Sequence, residues 1–463
     1  MIMNKNTAAH FNSICDCLPD SRGKLSSVLH AKLAEKIPPM RQRVRNLVTN
    51  YGSVKIDEVT VAHLYGGNRG VKTLVSDISY IDQKEGIRLR GYTIQEVIHA
   101  LPRVEGEEYP LVGGLYYLLL TSEIPTLEEA LQVECEWRNR SELPRYMLQS
   151  LKALPRDTHP MTMFSHAILS MQHESIFAKR YEEGSLRKEN FWETWLEDSL
   201  NLTAKLPTIA ATIYNIKNRV DDYVVPDPDL DWASNFAYMI GKGDNQDYKE
   251  LCKLYFIIHS DHEGANASAH TTHLVSSTLS DVYYSCSAGM NALAGPLHGL
   301  ANQGCLRWLL RLRDNFSSFP TREQLEEFVW DWLNAGQVVP GYGHAVLRTT
   351  DPRFTVQVAF ADKHCPDDEL IRLVKLVYEV VPGILQQLGK VSNPWPNVDA
   401  VTGALQYHYG VQELDIYTVM FGVSRILGLS ANSVWTRALG YPLERPKAMT
   451  TSMLEDIINV NLD

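Results

Sequence analysis

The chain has 463 residues, 44% of them apolar and 21% charged, which is the balance of a globular protein long enough for about two to four domains. This composition excludes a disordered chain, a collagen and a coiled-coil rod. Asp and Glu number 55 against 44 Lys and Arg, so the formal net charge is −11. A general nucleic-acid binder is therefore excluded, and an anionic ligand would need a local cluster of basic side chains.

The first 24 residues differ from the rest of the chain. They are polar, and the acidic Asp16 and Asp20 nearly balance the basic Lys5, Arg22 and Lys24. A mitochondrial transit peptide is normally Arg-rich and poor in acidic residues. We therefore expect residues 1–24 to form a frayed tail or a weak transit peptide.

Cysteine usage and hydropathy indicate a reducing compartment and no membrane span. Seven cysteines, an odd number, are spread from Cys15 to Cys365, which favours free thiols over a disulfide framework. Cys15 and Cys17 form a C-x-C pair, but no second Cys or His pair lies nearby, so no zinc site is expected. The best candidate for a membrane segment, Leu111 to Thr121, is shorter than the ~18 residues that a spanning helix needs.

Helical patterns dominate after the tail. Apolar residues recur at helical spacing from Leu25 to Ile37, and we expect Pro38 and Pro39 to interrupt this helix. Capping boxes at 126–129 and 321–324 each predict a helix start. The second of these helices would end at Gly336 and carry the following residues on one face: Leu325, Phe328, Val329, Trp332 and Leu333.

Strand patterns are few. Val54 to Val61 alternates imperfectly, which is a weak strand pattern. Leu74 to Ile81 and Ile87 to Leu89, joined through 82–86, predict one small hairpin. The expected class is mostly α, with a large body and a smaller lobe.

Four histidines, His259, His262, His270 and His273, would share one face if residues 254–279 form a single helix. Three interpretations are open: the histidines are buried and hydrogen-bonded, they bind a metal ion, or some of them contact an anionic substrate. The metal interpretation is disfavoured because the H-x-x-H spacing differs from H-E-x-x-H and no third type of ligand is evident.

Two glycine-rich turns carry further candidates. His298 lies in the turn 295–301, where a ligand can approach backbone and imidazole together, although a histidine in a turn commonly just satisfies local backbone groups. The loop 338–344 can point backbone N–H groups at a phosphate or an adenine edge. Arg348 and Arg353 follow this loop, and their planar donors suit carboxylates.

A third turn, 393–399, and two arginines complete the candidates. Prolines and Trp395 would present Asp399 rigidly as a candidate base, the alternative being an Asp that caps a turn. Arg425 and Arg445, taken singly, are typical of surface ion pairs.

Taken together, five stretches resemble the citrate synthase family of the eukaryotic mitochondrial type. They match that family in order and spacing, and the resemblance runs from about Leu25 to the C-terminus. The matching strings are His259-Ser-Asp-His-Glu-Gly264, Leu293-Ala-Gly-Pro-Leu-His-Gly-Leu-Ala-Asn302, Val339-Pro-Gly-Tyr-Gly-His-Ala-Val-Leu-Arg348, Asn393-Pro-Trp-Pro-Asn-Val-Asp399 and Pro442-Leu-Glu-Arg-Pro-Lys447.

The resemblance implies an all-α homodimer whose protomer has two helical domains and at most a small β-hairpin. The expected segments are 25–298 for the first part of the large domain, 299–404 for the small domain and 405–463 for the return to the large domain. The small domain would close over the site and keep water out.

The implied enzyme is citrate (Si)-synthase, an acyltransferase that converts the acyl group into an alkyl group on transfer. It condenses acetyl-CoA with oxaloacetate and water to give citrate and CoA, the first step of the tricarboxylic acid cycle. By this resemblance Asp399 would take a proton from the acetyl methyl group, His298 would hydrogen-bond the thioester oxygen, and His344 would polarise the oxaloacetate carbonyl. No metal ion and no cofactor is implied, because acetyl-CoA is a substrate.

Two sets of binding residues follow from the resemblance. His262, Arg353 and Arg425 would hold the oxaloacetate dianion, with Arg445 of the partner subunit completing the site. No nucleic acid or membrane partner is expected. CoA would be held by Arg69, Arg187, Val338, Gly341, Tyr342, Gly343, Arg348, Lys390 and Asn397.

Two positions depart from the family pattern. Ala265 stands where a second Gly is common, and Ser392 stands where a second Lys often helps to hold CoA. The resemblance implies a location in the mitochondrial matrix, although the leader at 1–24 is weak.

Three other functions stay open on the sequence. A 2-methylcitrate synthase would use propionyl-CoA, and one methylene is worth only about 1–3 kcal/mol of discrimination. A catalytically idle paralogue would serve as a binding or structural dimer. A metal-dependent hydrolase would use the histidine stripe.

Overall fold

The computed structural model describes residues 27–220 and 223–460. The predictions for Cys15, Cys17 and the segment 1–24 lie outside these ranges. The described residues form twenty α-helices and one three-stranded sheet, so the expected all-α class with a small hairpin is confirmed. The first ten helices are α1 (Val28–Tyr51), α2 (Val61–Tyr65), α3 (Ile94–Ala100), α4 (Val112–Thr121), α5 (Leu127–Arg138), α6 (Arg145–Ala153), α7 (Pro160–Ser170), α8 (Ile176–Glu182), α9 (Phe191–Lys217) and α10 (Trp232–Ala237). The second ten are α11 (Gln246–Ile258), α12 (Ala267–Ser277), α13 (Val282–Leu293), α14 (Ala301–Asp314), α15 (Arg322–Asn334), α16 (Pro352–His364), α17 (Glu369–Leu388), α18 (Asp399–His408), α19 (Ile416–Leu439) and α20 (Thr451–Val460). Short 3₁₀ turns lie at Met171–Glu174 and Lys188–Asn190, and a π turn lies at Tyr238–Lys242.

The predicted hairpin is confirmed and gains a third short strand. β1 (Ser79–Asp82) pairs antiparallel with β2 (Gly86–Leu89), and β2 pairs with β3 (Tyr92–Thr93). Gly86 has φ +83°, and a Cβ there would lie 2.5 Å from the ring of Pro352. Because Pro352 begins α16, only a glycine lets the hairpin pack this closely against the start of that helix.

The strand pattern at Val54 to Val61 was wrong. Residues 54–60 are exposed and lie outside the sheet, and Thr60 caps α2 in a capping box with His63. An alternating segment needs a neighbouring strand to pair with, and the tertiary structure brings none to it.

The predicted interruption at Pro38 and Pro39 was also wrong, because α1 runs through both. Both prolines are exposed, so the carbonyl groups that lose an N–H partner there can bind water instead. The predicted apolar stripe is confirmed over the described residues. Its buried members are Leu29, Leu33 and Ile37.

Both predicted capping boxes are confirmed. Thr126 and Glu129 begin α5, and Thr321 and Gln324 begin α15. The helix α15 ends just before Gly336, whose φ of +76° stops it in the left-handed conformation. Of its predicted apolar face, Leu325 and Val329 are buried, and Phe328, Trp332 and Leu333 pack against the core at its edge.

The core forms around two long helices, α9 and α19. The helix α9 packs on α19 and also on α5, α7, α8 and α10, while α19 packs on α4, α12 and α13. The run Val112–Thr121, α4, is buried along its whole length. It is a core helix, and no helix of the described residues is long and apolar enough to cross a membrane.

Helices α14 to α18 pack chiefly on one another. The helix α14 contacts α17 and α18, α15 contacts α17, and α16 contacts α18. Contacts to the rest of the chain run from α14 to α19 and from α16 to α3 and α11. These helices occupy the segment expected to be the small domain, 299–404, whose boundaries stay a prediction.

The cysteines follow the expectation of free thiols only in part. Cys252, Cys286, Cys305 and Cys365 are free and buried. Cys135, in contrast, is disulfide-bonded, so the expectation was wrong for that residue.

Candidate active site

Two of the predicted motifs are held together by backbone hydrogen bonds. The Gly343 N–H donates to the Trp395 carbonyl at 3.0 Å, and the Asn397 N–H donates to the Gly341 carbonyl at 2.9 Å. The Asn397 side-chain amide donates to the Gly343 carbonyl at 3.1 Å. The loop 338–344 and the turn 393–399 are therefore one unit, which fixes the histidine at the end of the first motif relative to the aspartate at the end of the second.

Gly341 is required at the junction of these motifs. Its φ is +80°, and a Cβ there would lie 2.8 Å from Cys305 Sγ and 2.9 Å from Ala400 Cα. Because Ala400 follows Asp399, a side chain at position 341 would push on the start of α18.

Asp399 is the first residue of α18. Its backbone N–H donates to Asn397 Oδ1 at 3.0 Å, so the turn is capped by Asn397, whereas the Asp399 carboxyl is not used for capping. Burial raises the pKa of the Asp399 carboxyl to about 6, and Asp351 adds to this rise, against the opposing effect of the Arg353 and Arg425 guanidiniums. A carboxyl group with this pKa is ionised at neutral pH and still binds a proton readily, as a general base must.

His344 is held by its Nδ1 atom, which accepts the backbone N–H groups of Val346 and Leu347, both at 3.0 Å. The ring hydrogen therefore lies on Nε2. Burial, with help from Arg353, lowers the pKa of His344 to about 4, so the imidazole is neutral at physiological pH. It can donate one hydrogen bond from Nε2 without carrying a charge.

His298 shows the opposite tautomer. It lies in the turn between α13 and α14, and its Nε2 accepts the backbone N–H of Ser268 at 3.2 Å. The ring hydrogen therefore lies on Nδ1. Burial and the nearby Arg425 lower the pKa of His298 to about 4, so this imidazole is also a neutral donor.

Arg425 projects from the middle of α19 and is almost completely buried. Its Nη1 donates to Asn266 Oδ1 at 3.3 Å, and its guanidinium lies 4.6 Å from the ring centre of Phe421. Burial lowers its pKa to about 10, although Asp261 and Asp399 act against this. Arg425 thus stays charged at neutral pH with few partners inside the protein, which favours binding of an anion.

Arg353 lies in the first turn of α16. Asp351, the N-cap of that helix, accepts its backbone N–H at 2.9 Å and its Nη2 at 2.7 Å, and both side chains are buried. The Asp351 N–H in turn donates to the Pro396 carbonyl at 3.1 Å. The turn that carries Asp399 therefore also positions Arg353.

His262 lies in the loop between α11 and α12, among Arg353, Arg425, His344 and His298. We call these residues, together with Asp399, the cluster. Ser79 of β1 fixes this loop, because its hydroxyl donates to Asp261 Oδ2 at 2.8 Å and accepts the Glu263 N–H at 2.7 Å. The rings of His262 and His344 lie 5.4 Å apart between centres. Burial lowers the pKa of His262 well below its usual value, and four neighbours lower it further: Arg353, Arg425, His344 and His298.

The condition for the shared histidine face, a single helix over 254–279, is not met. The helix α11 ends at Ile258, Glu263 takes a left-handed φ of +54°, and Asn266 caps α12. The four histidines therefore separate into three environments. His259 is buried and stacked 4.2 Å from the ring of Tyr255, as the first interpretation predicted, and only His262 joins the cluster.

The other two histidines of the stripe contact Glu444. His270 Nε2 lies 2.8 Å from Glu444 Oε1, and His273 Nε2 lies 3.5 Å from Oε2. Among the residues that the structure describes, no group of three or more His, Cys, Asp and Glu side chains is placed to hold a metal ion. Arg445, next to Glu444, is exposed in the segment that follows α19.

The family model described as "Citrate synthase, C-terminal domain" matches residues 67–447. The chain belongs to the citrate synthase family.

Known citrate synthases resemble the chain over most of their length. "Probable citrate synthase, mitochondrial" of Glossina morsitans morsitans is 52% identical, with 93% of each chain covered. "Citrate synthase, mitochondrial" of Xiphias gladius is 47% identical, covering 99% of this chain and 96% of the relative. The crystal structure of citrate synthase from Pyrobaculum aerophilum has a TM-score of 0.72 at 26% identity, covering 83% and 92% of the two chains.

A second solved structure agrees in fold. It is the ternary complex of carboxymethyl coenzyme A and oxaloacetate with citrate synthase from Thermoplasma acidophilum, with a TM-score of 0.70 at 21% identity. The match covers 85% of this chain and 96% of that chain.

The family model and the named relatives show that the chain is a citrate (Si)-synthase that condenses acetyl-CoA with oxaloacetate. The names of its relatives place it in the mitochondrion, as the sequence motifs implied.

The CoA-binding residues that citrate synthases imply are only partly brought together. Gly341, Tyr342, Gly343 and Asn397 lie in the paired motifs. Just after the loop 338–344, Arg348 Nη1 donates to the carbonyls of Val346 and Leu347, both at 2.8 Å. Val338 is 77% exposed at the start of this loop. Within 27–220 and 223–460, no side-chain hydrogen bond or ion pair connects the exposed residues Arg69, Arg187 and Lys390 to the cluster.

Sequence reasoning missed the residues that orient the citrate synthase cluster. Asp351, Asn266 and Ser268 form hydrogen bonds with Arg353, Arg425 and His298, respectively. The pattern Asp-Pro at 351–352 and the Asn at 266 are both helix-cap signatures and could have located α16 and α12.

Proposed function

We propose that Asp399, His298 and His344 carry out the condensation, with His262, Arg353 and Arg425 holding oxaloacetate. The observation that carries the proposal is the assignment of hydrogens in the cluster. Backbone N–H groups leave one neutral imidazole with a free Nδ1–H and the other with a free Nε2–H. Both donors belong to the same cluster as a carboxyl group whose pKa is raised to about 6.

In the first step the Asp399 carboxylate takes a proton from the methyl carbon of acetyl-CoA. The electron pair of the C–H bond moves into the thioester group, and the oxygen gains negative charge. His298 donates its Nδ1–H to that oxygen. Because a thioester methyl is a very weak acid, the carboxylate can remove the proton only if this charge is stabilised at the same moment.

In the second step the methylene carbon of the enolate attacks the keto carbon of oxaloacetate. A carbon–carbon bond forms, and the keto oxygen takes up the electron pair of its π bond. His344 donates its Nε2–H to that oxygen. The alkoxide takes up one proton, which balances the one that Asp399 removed from the methyl group, so Asp399 returns to its carboxylate form. The oxygen of a water molecule then bonds to the thioester carbonyl carbon of citryl-CoA and the C–S bond breaks. One proton of the water passes to the CoA sulfur, and the other is released as the new carboxyl group of citrate ionises.

Binding of oxaloacetate depends on local positive charge. The substrate is a dianion and the chain has a net charge of −11, so the cluster must supply cations against the overall field. Arg353 and Arg425 provide two buried guanidiniums. A third, Arg445, is exposed next to Glu444, which His270 contacts, and we propose that it enters the site of a second copy. The active form is therefore a homodimer.

CoA binding and closure involve the helices α14 to α18. These helices move as a small domain, because they pack mainly on one another. The loop 338–344 with Arg348 and Asn397 holds the nucleotide part of CoA, and the exposed Arg69, Arg187 and Lys390 bind its phosphates. Closure removes water from the enolate and from the thioester.

The test is a thiol-release assay with acetyl-CoA and oxaloacetate, combined with direct measurement of oxaloacetate binding. Asp399→Ala should lower turnover by about 10²–10⁴-fold while oxaloacetate binding changes by less than about threefold. Arg425→Ala should instead abolish measurable oxaloacetate binding. If Asp399→Ala releases thiol at the wild-type rate, or if Arg425→Ala binds oxaloacetate normally, the assignment of roles is wrong.

A further inference from the structure

The helix α16 connects the candidate site to a second polar cluster. Arg353, in its first turn, binds oxaloacetate in the proposed function, and His364 is its last residue. The helix has 13 residues and is therefore about 18 Å long. It packs on α18 and also on α3 and α11, which belong to the other predicted domain, so it contacts both predicted domains.

His364 contacts two carboxylates of the other predicted domain. Its Nε2 lies 2.8 Å from Glu108 Oε2, and its Nδ1 lies 3.1 Å from Asp247 Oδ1. Only 11% of its side chain is exposed, and its ring stacks on Phe360 at 4.4 Å between centres. The neighbouring Lys363 reaches the same oxygen of Glu108 at 2.7 Å. We call these four residues, His364, Glu108, Asp247 and Lys363, the α16 latch.

Both ring nitrogens of His364 face carboxylate oxygens, and a carboxylate can only accept. Whichever ring nitrogen carries the hydrogen therefore donates to an ionised acceptor. Charge-assisted hydrogen bonds of this kind are about twice as strong as neutral ones. The partial burial of the ring keeps water from replacing them.

The loop that carries Glu108 is fixed by hydrogen bonds of its backbone. The backbone N–H groups of Glu108 and Tyr109 donate to Glu250 Oε2 at 3.2 and 2.9 Å. Glu250 lies 3.4 Å from the ammonium group of Lys253, which is fully buried and also pairs with Glu107 at 2.7 Å. The loop that carries Glu108 is thus fixed to a buried charge cluster and cannot simply follow α16 when that helix moves.

We propose that His364 is a positioning residue for the condensation: it fixes the carboxyl end of α16 to Glu108 and Asp247 and thereby sets where Arg353, at the other end, meets oxaloacetate. The helix transmits this restraint because both ends are held. Gln357, between them, also donates to Thr402 of α18 at 3.0 Å. The inference depends on the proposed role of Arg353.

The experiment compares steady-state kinetics of the full-length chain with and without the latch. His364→Ala should raise the KM for oxaloacetate about threefold to tenfold and change kcat by less than about twofold. A KM change of this size corresponds to losing part of the free energy of one or two charge-assisted hydrogen bonds. Asp247→Asn changes a half-exposed carboxylate and should therefore disturb folding less. It should also raise the KM for oxaloacetate, by about twofold to threefold. The KM of the double variant should not exceed that of His364→Ala alone, because His364→Ala already removes the contact with Asp247.

A matched control is His408→Ala. His408 Nδ1 lies 2.7 Å from Asp368 Oδ2, but this pair joins α18 to the cap of α17 and stays within the helices α14 to α18. Its loss should leave the KM for oxaloacetate unchanged. If His364→Ala does not fold, the KM of Asp247→Asn for oxaloacetate alone tests the proposal.

The outcomes separate the two proposals. An unchanged KM in both latch variants, with normal thermal unfolding, overturns the latch. A change in kcat without a change in KM overturns it as well, because the restraint would then act on a later step. Arg353→Gln is measured in parallel, and if it binds oxaloacetate normally, the proposed role of Arg353 fails independently of the latch.

Discussion

The raised pKa of Asp399 predicts that the proposed catalytic base destabilises the free enzyme. In Asp399→Asn the amide has the shape of the carboxyl group but never ionises. The rise of the pKa from 3.8 to about 6 corresponds to about 3 kcal/mol, and partial exposure of the side chain reduces this to about 1–3 kcal/mol. We expect the variant to be more stable than the wild type by that amount at pH 7.5.

The pH dependence of this gain has a definite sign. A carboxyl group with a raised folded pKa binds its proton more tightly in the folded state than in the unfolded state. Its contribution to stability is therefore complete below about pH 4 and is lost as the pH rises to about 6. The stability difference between Asp399→Asn and wild type should be full at pH 7.5, smaller at pH 5 and close to zero at pH 4.

Urea unfolding of both proteins at one protein concentration measures the stability difference at each pH, and thiol release measures activity. The variant should lose about 10²–10⁴-fold in turnover while it gains stability. If Asp399→Asn is no more stable than the wild type at pH 7.5, the carboxyl is not held in an unfavourable site and the reasoning is refuted. A gain that is the same at pH 4 and pH 7.5 would refute it equally, because it would not arise from ionisation.

Three further predictions concern the rest of the site. His344→Ala should lower kcat in the thiol-release assay on the order of 10²–10³-fold, because it removes a neutral donor to the developing alkoxide; a loss below about threefold would contradict that role. Gly341→Ala should lower the free energy of unfolding by about 2–4 kcal/mol, because its φ is positive and the added Cβ would press on Cys305. Gly336→Ala, with φ +76° and open space around it, should lower the free energy of unfolding by only about 1 kcal/mol. Equal urea midpoints for the two variants would contradict the packing argument. Ser392→Lys should lower the KM for acetyl-CoA about twofold to fivefold at low salt and less at high salt, and a KM that does not change at low salt would show that position 392 lies away from CoA.

Local patterns of the sequence predicted the elements that depend on neighbouring residues alone. The capping boxes at 126–129 and 321–324 and the hairpin around residues 82–86 formed where they were expected. These motifs satisfy their own backbone groups within a few residues, so their formation needs no information from distant parts of the chain.

The errors have the opposite origin. One shared face for the four histidines required a single helix over 254–279. The chain instead ends one helix at Ile258, turns through the left-handed Glu263 and starts another helix at the cap Asn266, an arrangement stabilised by Ser79 from the distant hairpin. The interruption at Pro38 failed because the tertiary structure leaves that face of α1 exposed to water. In both cases the local structure depends on a distant residue or on exposure to water, and neither can be inferred from the neighbouring residues in the sequence.

The sequence by itself determined the family, through five motifs whose residue types and order match citrate synthases, and it named the residues of the candidate site. Only the tertiary structure decided which ring nitrogen of His298 and His344 carries the hydrogen, because the backbone donors that fix the tautomers come from Ser268, Val346 and Leu347 in the folded chain. It also decided the proton affinity of Asp399, since burial and the charges of neighbouring groups set a pKa and neither can be read from spacing along a chain.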